Sequence, residues 1–284
     1  MNTPTIPFTH QRRLQAHFGF TGVPFRKNVV ASRMFDSSSQ RELGHALRMW
    51  LEVQGLAVVT GPTGVGKSIT IRRFAEELDD TRHKAIRVSQ APTTPTGFLR
   101  SLNRSLGLPM RRHAADLFDQ AREHLSAYAE SHGPHPIVIL DNAEGMRPET
   151  LDLIRRLTHW ELDAADRFSV LIVGTEDLLR TLRQPLLSSL RSRFSYANQL
   201  RPFSLEDTRN YIRYHLEGSG AESTLISDDA AREIFLASEG APRLVNQLAV
   251  QALIQAAVRG HDQLDGRFLS DLITSHPLFP RGDR

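Results

Sequence analysis

The segment Gly61-Pro62-Thr63-Gly64-Val65-Gly66-Lys67-Ser68 limits what this chain can fold into more than any other stretch. It fits G-x-x-x-x-G-K-[ST], the spacing of a loop that wraps phosphate. Its glycines let successive backbone N–H groups turn inward on phosphate oxygens, and its lysine reaches the β- and γ-phosphates. Its serine hydroxyl is placed to ligate Mg²⁺. The flanks agree. GLAVVTG (55–61) reads as a buried strand, and Ile71, Phe74, Ala75 and Leu78 then mark one helical face. A strand entering a helix through such a loop sets the helix's partial positive end at the phosphates. The expected ligands are therefore ATP and Mg²⁺, held by Gly61–Ser68, with Ser68 on the metal.

Further apolar runs at 85–89, 136–140 and 169–174 alternate with helical patterns near 96–106, 114–130 and 148–160, and a last short strand is predicted at 197–202. Strands alternating with helices predict an α/β fold, a parallel sheet covered on both faces. Ahead of it, a helix is predicted after Ser37–Ser39, with Leu43, Leu47, Trp50 and Leu51 at helical spacing. Residues 1–36 show no clear period, and Phe18, Phe20 and Phe25 among glycines and proline predict an ordered extended arm. Past Pro202 the strands stop. Helices are predicted near 205–217, 228–239, 243–259 and from Gly266 towards His276, a small bundle. The expected organisation is an arm and helix packing on the core (1–54), a P-loop core (55–202) and a helical lid (203–284).

The 284 residues include no cysteine, which excludes disulfides, thiolate zinc sites and cysteine nucleophiles. No apolar run approaches the ~18 residues of a membrane span, and the first residues have no signal-peptide core. A cytoplasmic protein with no membrane partner is expected. The net charge is +3, and Lys27, Lys67 and Lys84 are the only lysines against many arginines. Arginine suits bidentate phosphate contacts, although an arginine-favouring codon bias gives the same composition.

A P-loop needs a second acid for the magnesium's water shell. Asp141, ending the apolar strand PIVIL, fits that role. The interval from 67 to 141 holds another strand and two helices, the layout of a motor-like or switch-like ATPase rather than a small-molecule kinase. Thr175 follows the strand SVLIVG, where a polar tip can sense the γ-phosphate. Arg191 and Arg193 follow a helix, from which a guanidinium can reach a neighbour's γ-phosphate. Arg243 starts a helix of the bundle and is placed to close over a nucleotide.

These features, in this order and followed by a helical lid, resemble the AAA+ ATPases, closest to the ExeA-like group and the related TnsC/TniB transposition regulators. The resemblance is carried by FGFTGVPF (18–25), GPTGVGKS (61–68), PIVILDNAE (136–144), MRPETLDLIRRLTHWELD (146–163), SVLIVGTEDLL (169–179), LRSRF (190–194), LRPFSLEDTRNYIRYHLEGSG (200–220) and GAPRLVNQLAVQAL (240–253). It implies a five-stranded sheet, assembly into rings or helical filaments, sensor 1 at Gly174–Thr175, a trans-acting finger at Arg193 and sensor 2 at Arg243. One departure stands out. The family usually has Asp-Glu at the second motif, whereas here Asp141 is followed by Asn142, with Glu144 the nearest acid. If the chain stays extended, residues 142 and 144 point to one side, roughly 6.5 Å apart. An amide orients water but takes no proton, so slow hydrolysis and a long-lived ATP-bound switch are expected.

The resemblance implies an ATP-dependent DNA transposition regulator that assembles on target duplex DNA and recruits or activates a transposase. The alternatives are an ExeA-type secretion-pathway assembly ATPase, or a helicase-loader-like nucleotide-gated scaffold. The secretion type normally adds a membrane segment and a wall-binding domain, which this sequence of 284 residues does not show. Arg100 and Arg104, four apart on a predicted helix face, and Arg111 and Arg112 just beyond are the candidate DNA contacts. A solvated helix face gives the same spacing. With no helix-turn-helix or zinc motif, binding is expected to tolerate any sequence.

Overall fold

Alternation along buried strands decides how this chain layers. The structure, a computed structural model, describes residues 9–25, 34–88, 92–131, 133–159 and 167–276. Lys27 and Trp160 to Asp163 of the motif quoted above lie outside them. Five strands, β1 (Leu56–Thr60), β2 (His83–Val88), β3 (His135–Leu140), β4 (Ser169–Val173) and β5 (Phe194–Gln199), form one sheet in the order β2-β3-β4-β1-β5. All its pairings are parallel. The expected α/β fold with a five-stranded parallel sheet is therefore present.

Residues of opposite parity go to opposite faces, as the strand period of two requires. Val58, Val138, Leu140, Val170 and Ile172 pack on one side with Phe98, Leu102, Leu117, Leu125, Leu151 and Ile154. These last belong to α4 (Pro95–Ser105), α5 (Ala114–Glu130) and α6 (Pro148–Leu157). Ala57, Val59, Ile137, Ile139, Leu171 and Val173 face the other side. They meet Leu43, Leu47 and Trp50 of α2 (Ser38–Val53) and Ile71 and Phe74 of α3 (Lys67–Glu76). A sheet covered on both faces leaves only strand ends for polar chemistry, and in such folds ligands gather at the carboxyl ends. Two short helices, α7 (Glu176–Leu182) and α8 (Ser188–Arg191), connect β4 to β5.

The chain divides into two compact units, residues 40–201 and residues 1–39 with 202–284. The second contains α1 (Thr9–Phe18), α9 (Leu205–Glu217), α10 (Asp228–Ser238), α11 (Pro242–Arg259) and α12 (Gly266–Thr274). Ser204 caps α9 through a reciprocal capping box with Asp207. Ser227 and Asp265 cap α10 and α12. Phe20 and Phe25 are buried with Tyr211, Ile212, Leu248 and Leu269 inside this unit.

The structure departs from the sequence-based expectation at three elements. Residues 9–18, predicted to be extended, form α1. It ends at Gly19, whose φ of 70° supplies the left-handed stop. The described part of the arm packs in the helical unit rather than on the α/β core, whereas α2, the helix of the same expected 1–54 segment, does pack on that core. The last strand runs from Phe194 to Gln199, three residues before the predicted 197–202. It is an edge strand with alternating partial exposure, so its sequence carries no apolar run.

Candidate active site

Register brings three sequence-distant segments to one level. Val59 pairs with Val173, and Leu140 pairs with Ile172. The residues that follow, from Gly61, from Gly174 and from Asp141, therefore leave the sheet side by side. Because β4 lies between β3 and β1, Thr175 stands between the phosphate loop and the Asp141 segment. Asp141 is thus one strand removed from the loop's own strand, a lateral spacing of roughly 10 Å.

The loop has the backbone that phosphate wrapping needs. Gly61 has φ of 156°, and a Cβ there would lie 2.6 Å from the Leu200 carbonyl oxygen. No other residue fits so close an approach. Gly66, at φ 104°, precedes α3 without any side-chain cap. The first N–H groups of α3 are therefore left to an anion. Lys67 donates from Nζ to the carbonyls of Gly61 at 2.7 Å and Pro62 at 2.8 Å. Its ammonium is thereby held over the loop. Ser68 is exposed on the first turn of α3.

Beyond β3 the chain does not stay extended. Asn142 takes φ 57° and ψ 46°, and Ala143–Gly145 form a single 3₁₀ turn. The Asn142 N–H donates back to Asp141 Oδ1 at 2.9 Å, and the Asn142 side chain is exposed. The expectation that residues 142 and 144 share one side of a strand is therefore overturned. A left-handed residue reverses the chain direction before residue 144 is reached. Glu144 instead packs on the end of β4, its backbone nitrogen 3.2 Å from where a Cβ of Gly174 would stand. Glu144 Oε2 and Thr175 Oγ1 are both buried without a hydrogen-bond partner. Thr175 sits at the N-cap of α7, where a hydroxyl ordinarily accepts from the helix, and makes no cap bond.

The arginines separate into distinct roles. Arg193 Nη2 lies 3.0 Å from His159 Nδ1. A guanidinium only donates, so that ring nitrogen accepts. Arg191 donates to the carbonyls of Leu182 at 2.9 Å and Gln184 at 3.2 Å, which makes it a staple of its own loop. Arg243 is exposed at the second residue of α11. Arg100 and Arg104 lie on the exposed face of α4, opposite buried Phe98, Leu99 and Leu102, and Arg111 and Arg112 are exposed in the connection to α5. None of these four side chains makes a hydrogen bond or an ion pair among the described residues. By contrast, Arg48 and Arg82 pair with Glu77 and Glu52.

The loop cradle, the uncapped α3 terminus and two orphaned polar atoms at adjoining strand ends fit a nucleotide triphosphate. They also fit Mg²⁺, for which Ser68 and Asp141 are the oxygen donors at hand. The described residues contain no cluster of three or more His, Cys, Asp or Glu able to hold a metal alone. That agrees with magnesium's habit of binding through one or two side chains plus phosphate. No helix among the described residues is long and apolar enough to cross a membrane.

Comparison with known proteins agrees with this geometry. Residues 51–182 match the AAA domain family. General secretion pathway protein A of Aeromonas hydrophila is 29% identical over 250 residues, covering 87% of this chain and 45% of that protein. The chain thus spans under half of that relative's length. Among solved structures, the Aeropyrum pernix ORC2 protein in its ADPNP-ADP complexes superposes with a TM-score of 0.64 at 16% identity, over 88% of this chain and 71% of that one. Cdc6p from Pyrobaculum aerophilum gives 0.60 at 20% identity, over 95% and 72%. The Aeropyrum pernix ORC1 protein in complex with DNA gives 0.60 at 17%, over 97% and 75%. The fold is that of the P-loop AAA+ proteins, and the α/β unit with this loop is an ATPase core.

Proposed function

We propose that this chain is an ATP-driven regulator of DNA transposition, which assembles on duplex DNA in its ATP-bound state and recruits or activates a transposase. The observation that carries the DNA contact is the set Arg100, Arg104, Arg111 and Arg112, four exposed guanidiniums without a carboxylate partner. Unpaired charge of one sign along a helix face and its adjoining connection suits a phosphodiester backbone and reads no base. The stretch carrying these arginines is also tied to the catalytic end of the sheet. The Thr93 carbonyl, just ahead of α4, accepts from Thr150 Oγ1 at 2.7 Å and from the Arg147 N–H at 3.2 Å. Thr150 and Arg147 lie directly beyond the Asp141–Gly145 turn.

In this reading Lys67 and the α3 terminus bind the phosphates, while Ser68 and Asp141 would hold Mg²⁺, which would supply neutralising charge to the phosphates when bound. Thr175 senses that phosphate. Arg193 completes the site of a neighbouring copy, and Arg243 reports on the nucleotide from the helical unit. A ring or helical filament of copies is the assembled form. One observation favours a second reading. The similarity to General secretion pathway protein A supports the same switch assembling an envelope complex.

Duplex-binding measurements with and without a non-hydrolysable ATP analogue separate the two. Transposition regulation expects binding that depends on the analogue, tolerates any sequence and weakens steeply with salt. Replacing the four arginines with alanine removes up to four phosphate contacts and flattens that salt dependence, leaving ATP affinity unchanged. Wild-type protein that binds no duplex under any nucleotide turns the assignment to the secretion reading.

A further inference from the structure

A polar atom buried without a partner forfeits its hydration, at a cost of about 1–3 kcal/mol. Native structures carry few such atoms, and those present call for a functional account. Here two occur at neighbouring strand ends, Glu144 Oε2 beyond β3 and Thr175 Oγ1 beyond β4. The strand bearing Thr175 is the direct neighbour of the strand that feeds the phosphate loop. Asn142 holds the left-handed corner with its side chain exposed.

We propose that Glu144, rather than Asn142, is the catalytic carboxylate of this ATPase, and that the Thr175 hydroxyl helps to hold the same water. This rests on the ATPase reading of the site. The water oxygen bonds to the γ-phosphorus, and the bond from that phosphorus to the β–γ bridging oxygen breaks, its electron pair staying on ADP. One water proton passes to the Glu144 carboxylate and from there to solvent, giving inorganic phosphate. An asparagine amide cannot accept that proton. The turn from Asp141 to Glu144 therefore restores, two residues later and by reversal of the chain, the base that Asn142 lacks. Slow hydrolysis is then no longer the expectation, because a carboxylate is available.

Phosphate release and binding of a fluorescent ATP analogue by the full chain test this. Glu144→Gln keeps the size and hydrogen-bonding reach of the side chain, so retained nucleotide binding verifies its fold. It is expected to slow phosphate release by roughly 100-fold or more, with ATP affinity within about threefold of wild type. The double variant N142E/E144Q is expected to remain slow, since the side chain at 142 is exposed while Glu144 Oε2 and Thr175 Oγ1 are the buried atoms at the strand ends. Phosphate release by Glu144→Gln within about threefold of wild type, or recovery in N142E/E144Q, overturns the assignment while leaving the ATPase reading intact. Wild-type protein that binds ATP yet releases no phosphate, with or without duplex DNA, overturns both.

Discussion

Lys67 makes the site's two-sided chemistry visible in one side chain. Its ammonium donates to the Gly61 and Pro62 carbonyls, so it is held beside the place where phosphates arrive. Lys67→Ala removes both those bonds and the cation. A charge-assisted bond from this ammonium to phosphate is worth about 1.5–3 kcal/mol, so a loss of roughly 100-fold in ATP affinity is expected. Titration with a fluorescent nucleotide measures it, and tight binding by the variant contradicts the assignment. The sequence carried this residue openly, because phosphate wrapping demands particular side chains at one spacing. Glu144 was legible only as a nearby acid. Its orientation depends on the sign of φ at Asn142, and no apolar pattern records a single dihedral. Gly240 shows how much such a dihedral matters elsewhere. It has φ of 71°, and a Cβ there would lie 2.1 Å from the Phe203 carbonyl oxygen. Gly240→Ala is expected to destabilise the chain by about 2–4 kcal/mol, read as an earlier urea midpoint.

Strands and helices were legible where burial imposes a period. β1 and β4 are buried along their whole length, so Leu56–Thr60 and Ser169–Val173 stand out as apolar runs. α1 and β5 lack that signal, since Leu14 and Phe18 are only partly buried and β5 lies at the sheet's edge. The Gly19 that follows Phe18 was the available clue to α1, a helix-stop residue at the right place. Buried histidines give the elements a pH dependence. His135 opens β3 opposite His83 of β2 and shares a 2.9 Å hydrogen bond with Ser169 Oγ. Burial, with the nearby His83, pushes its pKa down to about 4. Burial likewise lowers His215 of α9 to about 4. Unfolded histidine titrates near 6.5. The unfolded chain thus binds more protons between these values, and stability falls as pH drops from about 6.5 towards 4. Both rings retain some exposure, which reduces the effect to about 1–2 kcal/mol each. Urea unfolding followed between pH 5 and 8 checks the slope, and His135→Gln is expected to flatten it.

At the scale of the whole molecule, the α/β unit supplies the phosphate loop while the proposed assembly asks a second copy for a cation. Arg191 and Arg193 are two residues apart, and their contacts distinguish them. Arg191 is committed to the Leu182 and Gln184 carbonyls, so Arg191→Ala is expected to cost about 1–2 kcal/mol of stability. Arg193 instead reaches out to His159, an exposed side chain that a phosphate of higher charge can displace. Arg193→Ala is therefore expected to keep ATP affinity near that of the wild type and to lose hydrolysis by a factor of roughly 1,000 or more, the value of an arginine supplied in trans. Alone, Lys67→Ala binds nucleotide only weakly and Arg193→Ala cannot complete a neighbour's site. Mixed, an Arg193→Ala copy offers an intact phosphate loop and a Lys67→Ala copy offers an intact Arg193. Where one faces the other, a working site forms. Partial recovery of phosphate release on mixing two inactive proteins, rising with total concentration, is the expected result. No recovery, together with wild-type hydrolysis by Arg193→Ala alone, places the transition-state cation on another residue of the chain.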